Sequence, residues 1–394
     1  MSLRPLPFEA RPIRRLHRPE PGEFWAHHSQ EPVVLTGCME DWKLLKELRA
    51  RATAGQKLEL LGSLHGAEPV RYSTLPRGTG GHYHFQDSEA RSTTYGPPQP
   101  RVPFDTFASQ LLRSLNGESD SYVYLQAMFL DPGTPLWESL GPGVLPLLSE
   151  EQARPMLWAG SDGQVVNLHY DDFLNFICML EGTKRVTVFA PELMTSMYHA
   201  PFDRMLNYAQ ASRVRMLEPD LERFPLFEQA MKEARVAMLE PGEVLFLPPM
   251  WWHHVESYGF NVMINNWVFP APLEEIIALQ ENVTKALRLF QDATAAQRAE
   301  ARAHYVRSVL VAAEAAGAPE SGGAREAEEP RHAAHQDETR RLATRLPDSL
   351  RQQLTRYYDQ FVFQVSGEPF PGQPGALAAM MERNAQGTNY FARD

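Results

Sequence analysis

Between Met156 and Pro270 the chain breaks into short apolar runs, each closed within a few residues by glycine, proline or a cluster of turn formers. The runs Val165 to Phe173, Phe176 to Leu180, Arg185 to Phe189, Val236 to Leu239, Val244 to Leu247 and Asn261 to Phe269 have strand length and are rich in β-branched and aromatic residues. Short β runs separated by turn signals predict a mainly β core of sandwich or jelly-roll type. Glu181-Gly182-Thr183-Lys184 reads as the turn of a hairpin joining two of these runs.

The flanks differ. Residues 1–115 read as an α/β segment that packs on the core, with a β-type run at Pro32 to Thr36 and helical spacing of Phe104, Phe107, Leu111 and Leu112. Residues 116–270 form the β domain, opening on Tyr122-Val123-Tyr124-Leu125-Gln126 as a strand. Residues 271–394 are helical: Leu273, Ile276, Ile277, Val283, Leu287 and Phe290 share one face, and a second helix is predicted from Glu338 to Val365. Between them, residues 317–337 have almost no large apolar side chain and read as a flexible linker. The stripe Leu342, Leu346, Leu350, Leu354, Tyr357, Phe361 and Val365 is wider than a lone helix needs, leaving packing on the parent domain and a helix-mediated homodimer both open.

A net charge of −11 argues against a generally cationic surface, and so against nucleic acid as the main partner. Met1 to Arg18 has no apolar run of signal-peptide type and no later window reaches the length of a membrane span, so a cytoplasmic protein is expected. The two cysteines, Cys38 and Cys178, are expected as thiols, Cys178 as a small buried apolar residue.

Within the β region lie His169-Tyr170-Asp171 and, some eighty residues on, Trp251-Trp252-His253-His254. Side chains alternate along a strand, so the one-residue spacer aims the His169 imidazole and the Asp171 carboxylate at the same side. A histidine from a second strand completes two imidazoles and one carboxylate, a set that suits ferrous iron and leaves coordination positions open for a co-substrate and dioxygen. His253 and His254 face opposite ways, and periodicity does not choose between them. Lys184 lies just beyond the first ligand strand among apolar neighbours, where it can hold a carboxylate by a charge-assisted bond, and Asn175 shares parity with His169 and Asp171. His82 and His84 imitate a ligand pair, but no carboxylate completes them.

At His169-Tyr170-Asp171-Asp172, Asn175, Glu181-Gly182-Thr183-Lys184-Arg185 and Trp251-Trp252-His253-His254-Val255-Glu256-Ser257 the chain resembles the JmjC-type 2-oxoglutarate oxygenases, and within them their asparaginyl-hydroxylase branch. Tyr124-Leu125-Gln126 and Glu222-Arg223-Phe224-Pro225 extend the likeness over roughly residues 11–270. The resemblance implies a double-stranded β-helix of cupin-like kind with flanking helices. It implies Fe(II) held by His169, Asp171 and His253, and 2-oxoglutarate held at its far carboxylate by Lys184 and Tyr124, with Asn175 and Asn265 near its chelating end. The implied reaction couples decarboxylation of 2-oxoglutarate to succinate with dioxygen-dependent hydroxylation of a side chain of a peptide or protein. Trp251, Trp252, Phe173, Phe176 and Trp267 are expected to keep the chamber dry, and the branch dimerises through carboxy-terminal helices.

Two departures bear on this. Val166 stands where the branch has a threonine three residues before the first ligand, removing one hydrogen bond to the diacid. Arg204 is followed by Met205 where the branch has an Arg-Gln pair, which turns the expectation away from asparagine as target; Arg204 and Gln126 remain the expected substrate contacts. Three alternatives stand beside this expectation: the same chemistry on a free amino acid, a small metabolite or a tRNA base, a cupin-like binding module without turnover, and, more distantly, a zinc hydrolase.

Overall fold

The computed structural model describes residues 3–83, 100–141, 145–149, 151–199, 210–268, 273–290, 293–310 and 330–363. Its strands are β1 (Arg11–Pro12), β2 (Arg15–His17), β3 (Val33–Thr36), β4 (Tyr72–Pro76), β5 (His82–Tyr83), β6 (Ser121–Phe129), β7 (Pro155–Gly160), β8 (Val165–Tyr170), β9 (Leu174–Phe189), β10 (Gln210–Ala211), β11 (Arg235–Leu239), β12 (Val244–Leu247) and β13 (Trp252–Val268).

The two longest strands organise the others. β9 and β13 run antiparallel from the Leu174–Val268 pair to the Phe189–Trp252 pair, with register shifts between Tyr258 and Met263. The first half of β9 and the second half of β13 belong to the ladder β2-β3-β12-β9-β13-β7-β6-β4, whereas their other halves take β11 and β8 as neighbours. Each long strand thus serves two sheets that close on each other, as in a jelly roll. Ile177, Met179, Leu245 and Met263 from one sheet and Val186, Val188, Ala237 and Val255 from the other share a single apolar cluster between them. This is the expected double-stranded β-helix.

The outer face of the first sheet is also apolar. Val123, Leu125, Phe176, Cys178, Phe246 and Ile264 pack there against Leu45, Leu58, Leu61, Phe104, Phe107 and Leu111, which project from helices Lys43–Arg49, Ala54–His65 and Phe104–Leu115. Ala54–His65 starts at a reciprocal cap: Thr53 Oγ1 accepts from the Gln56 amide at 3.2 Å, and the Gln56 side chain accepts from the Thr53 amide at 3.2 Å.

One expectation fails at the centre of the fold. Glu181 to Lys184 is no hairpin turn, because β9 continues through it. Gly182 has φ of 73°, and a Cβ there would lie 2.3 Å from the Phe260 carbonyl oxygen of β13. A glycine that kinks a strand uses the same left-handed conformation as one that reverses it, so composition does not separate the two. The kink carries β9 from one sheet to the other.

The described helices beyond the β region form a second compact unit: Leu273–Phe290, Ala295–Tyr305 continued by a π-helical turn over Val306–Leu310, Pro330–Arg345, and Asp348–Tyr357 with a π-helical end at Tyr358–Val362. The third of these begins at Pro330, before the predicted Glu338, so residues 330–337 are helical; residues 317–329 lie outside the described residues. Pro347 then divides the predicted second helix in two. Leu346, Leu350, Leu354 and Tyr357 are buried within the chain itself. The apolar stripe that raised a homodimer is used to that extent in packing this unit. Among the described residues, no helix is long and apolar enough to cross a membrane.

Candidate metal centre

β8 and the start of β13 lie side by side, with His169 directly opposite His253 and a bulge between His253 and Val255. The two imidazole centroids are 4.0 Å apart. Asp171 follows β8 by one residue, and its carbonyl accepts from the Met250 amide at 2.8 Å, tying it to the chain that leads into β13. His169, Asp171 and His253 each offer one ligand atom, all within 4.8 Å of one another.

The tautomers follow from the backbone. His169 Nδ1 is 2.7 Å from the Asn167 carbonyl oxygen and His253 Nδ1 is 2.9 Å from that of Trp251. A carbonyl only accepts, so each Nδ1 carries the proton and each Nε2 presents a lone pair. His253 Nε2 and Asp171 Oδ2 are 3.7 Å apart, too far for a hydrogen bond. Ligand atoms ~2.1 Å from a shared cation have separations of this size. Burial pushes the Asp171 carboxyl above its ordinary range, against the pull of His253 and a hydrogen bond from Asn175. A cation between these three groups supplies the missing positive charge, and the donor set fits a divalent transition metal with one side left open.

A chain of hydrogen bonds fixes the carboxylate. Trp158 Nε1 donates to Asn265 Oδ1 at 2.6 Å, Asn265 Nδ2 to Asn175 Oδ1 at 3.2 Å, and Asn175 Nδ2 to Asp171 Oδ2 at 3.2 Å. The structure therefore brings both predicted asparagines to the metal ligands. Trp158, on β7, had no signal in the sequence beyond being an aromatic residue in a strand.

Lys184 lies in mid-strand on β9, 2% exposed, rather than at a solvated turn. Its Nζ donates to Ser257 Oγ at 2.6 Å, and burial alone lowers its pKa to about 7. Lys184 shares a face of β9 with Val186 and Val188, and Ser257 shares a face of β13 with His253 and Val255; both faces line the apolar cluster between the sheets. Ser257 closes the resembling motif but had no role from the sequence, although its even spacing from His253 is the parity signal that would have given it one.

Tyr124 is buried on β6, its ring 5.4 Å from that of Tyr83 and 5.7 Å from that of Trp158. Gln126 accepts from Ser73 Oγ at 3.0 Å and is half-buried. Arg204 and Met205 lie outside the described residues, as does His84. His82 binds Asn167 Oδ1 through Nδ1 at 2.8 Å. His254 faces away from the three ligands, fully buried within 4.0 Å of Glu256, and desolvation, followed by nearby positive charge, holds its pKa well below the ordinary range. Glu256 is held in turn by a bidentate pair with Arg185, at 2.7 and 2.9 Å.

Strand alternation corrects part of the predicted aromatic lining. Trp252 sits on the face opposite His253, against Tyr170 at 4.8 Å, and Phe176 packs in the outer cluster against Phe246 at 4.9 Å. Trp251 joins the apolar cluster between the sheets, and Phe173 meets Trp267 at 5.5 Å.

Two sheets closed on each other around two histidines and an aspartate define the class of metal-binding cupins. The chain belongs to the cupin-like domain family, whose model matches residues 22–272. It is 26% identical over 262 residues to lysine-specific demethylase 8 of Xenopus tropicalis, covering 65% of this chain and 52% of that one. It is 32% identical over 172 residues to human HSPB1-associated protein 1, covering 42% and 33%. It is 33% identical over 115 residues to JmjC domain-containing protein D of Dictyostelium discoideum, covering 29% and 25%. The chain spans about half or less of the length of these relatives.

Proposed function

We propose that the chain is an Fe(II)- and 2-oxoglutarate-dependent oxygenase that hydroxylates a side chain of a peptide or protein. The observation that carries this is the meeting of His169, Asp171 and His253, with Nδ1 of both rings turned to a backbone carbonyl, in a cupin-like fold whose relatives include a protein named a lysine-specific demethylase. Iron with 2-oxoglutarate and dioxygen supplies an oxidant strong enough for an unactivated C–H bond. The chain's own part is to hold three ligands on one face, to orient Asp171 through Asn175, and to offer Lys184 as the cation for the far carboxylate of the diacid. Tyr124, whose ring lies 5.7 Å from that of Trp158, is assigned to the same acid. Arg204 and Gln126 stay assigned to the substrate.

Hydroxylation of an ordinary side-chain carbon leaves a stable alcohol, whereas hydroxylation of an N-methyl carbon gives a hemiaminal that collapses to formaldehyde and the demethylated amine. The departure at Val166 and the names of the relatives leave the chain at the level of the JmjC type, outside any one branch. Buried, unpaired Cys38 and Cys178 fit a reducing compartment, and we place the protein in the cytoplasm on that ground.

The test is succinate formation from 2-oxoglutarate with added Fe(II), with and without a peptide library, for the unaltered chain and for His169→Ala. Turnover only in the former supports the oxygenase, and equal turnover in both removes His169 from the centre. Mass spectrometry of the peptides separates the gain of one oxygen from the loss of a methyl group.

A further inference from the structure

Lys184 is a buried cation with one hydrogen bond among the described residues, the 2.6 Å contact to Ser257 Oγ, and no described carboxylate lies within ion-pair distance. A buried ammonium without a counter-charge is strongly unfavourable, so the ligand-free lysine tends to give up its proton, and an anion brought beside it would hold the charged form.

Ser257 stands directly across from Lys184 in the ladder between β9 and β13 and is 3% exposed. An ammonium only donates, so their contact uses a lone pair of the serine oxygen. The serine proton remains to be given to another acceptor, and none is present among the described residues. Val166, where the resembling branch carries a hydroxyl, packs against the apolar cluster between the sheets and pairs across β8 and β13 with Val255, two residues before Ser257. The polar group missing from β8 is matched by one on the adjacent strand.

We infer that Ser257 is a further anchor of the co-substrate's far carboxylate beside Lys184 and Tyr124, donating its hydroxyl proton to the group that Lys184 neutralises and standing in for the hydroxyl absent at Val166. The inference rests on the oxygenase reading and deepens it. It assigns preference for a 2-oxo dicarboxylate to a pair of facing residues on β9 and β13. A 2-oxo monocarboxylate, which chelates the metal but has nothing at its far end, makes no contact with either.

The experiment is calorimetric titration of the Mn(II)-loaded chain with 2-oxoglutarate and, separately, with 2-oxobutyrate. Ser257→Ala is expected to weaken 2-oxoglutarate binding about tenfold or more, as for loss of a hydrogen bond to a charged group, with 2-oxobutyrate binding and Mn(II) affinity unchanged. In turnover the KM for 2-oxoglutarate rises while kcat is retained. Unchanged 2-oxoglutarate binding in Ser257→Ala, alongside loss in Lys184→Ala, overturns the role of Ser257 and leaves the oxygenase reading standing. Equal weakening of both acids also overturns it, since that is the mark of general damage. Failure of the unaltered chain to bind 2-oxoglutarate at all overturns the oxygenase reading and this inference with it.

Discussion

The side-chain amide of Asn175 donates to Asp171 Oδ2 at 3.2 Å, and its own oxygen is held by Asn265 Nδ2 at the same distance. An amide with both ends engaged cannot flip, so the carboxylate it touches is presented to the metal in one orientation. The orientation begins at the Trp158 indole, which fixes Asn265.

Removing that support weakens metal binding. Asn175→Ala is expected to lower Mn(II) affinity by roughly 10–100-fold, the range for partners that orient a ligand, and Trp158→Phe by less because Asn175 stays in contact. Electron paramagnetic resonance titration of free Mn(II) reads both. Affinity equal to that of the unaltered chain in both variants dismisses the relay.

How far this centre was legible depended on distance along the chain. The His169 and Asp171 pair follows from strand parity alone, and the turn and apolar strand before Trp251 announced a second ligand. Long-range register did not show. Which of His253 and His254 turns inward is decided by the pairing of β13 with β8, and the facing of Lys184 and Ser257 by the pairing of β13 with β9. The hairpin expected at Gly182 failed for the same reason, since a kink and a reversal share a backbone conformation and differ only in what comes to lie alongside. In the helical unit, periodicity found the apolar stripe but could not say what it meets, and Leu350 and Leu354 meet this chain.

Gly182 provides the second prediction. An alanine there is strained by its φ of 73° and would drive its Cβ to 2.3 Å from the Phe260 carbonyl oxygen. Gly182→Ala is expected to lose at least about 1–3 kcal/mol of stability, measured by urea denaturation. Because the kink carries β9 between the two sheets, Lys184 should be displaced as well and 2-oxoglutarate binding weakened. A variant as stable as the parent would show that β9 tolerates a straight path here.

The Arg185 and Glu256 pair is buried at 7% and 2% side-chain exposure, and Tyr258 adds a hydrogen bond to Glu256 Oε1 at 2.7 Å. Glu256→Leu leaves the guanidinium uncompensated and is expected to cost about 3–5 kcal/mol, whereas adding Arg185→Met to it recovers most of the loss. Denaturation of the two single variants and the double variant forms a cycle. An additive cycle would mean that the two residues do not act as a pair.

Lys184 has the clearest dependence on pH. Burial lowers its pKa to about 7, against roughly 10.4 in an unfolded chain. In the window between those values the unfolded chain holds a proton that the folded one has released, so stability of the ligand-free protein rises with pH through it. The destabilising effect of the lysine is therefore full below about 7 and fades towards 10.4. Lys184→Met should accordingly be the more stable protein at neutral and lower pH, with the difference closing as the solution becomes alkaline. Ligand binding has the opposite sign. A carboxylate needs the charged ammonium, so with Mn(II) saturating, affinity for 2-oxoglutarate is expected to be highest below about 7 and to fall by up to tenfold per pH unit above it, with net proton uptake on binding. Calorimetry in buffers of differing ionisation enthalpy measures that uptake directly. Affinity independent of pH across this range in the unaltered chain, or the same pH dependence in Lys184→Met, would show that another group holds the acid.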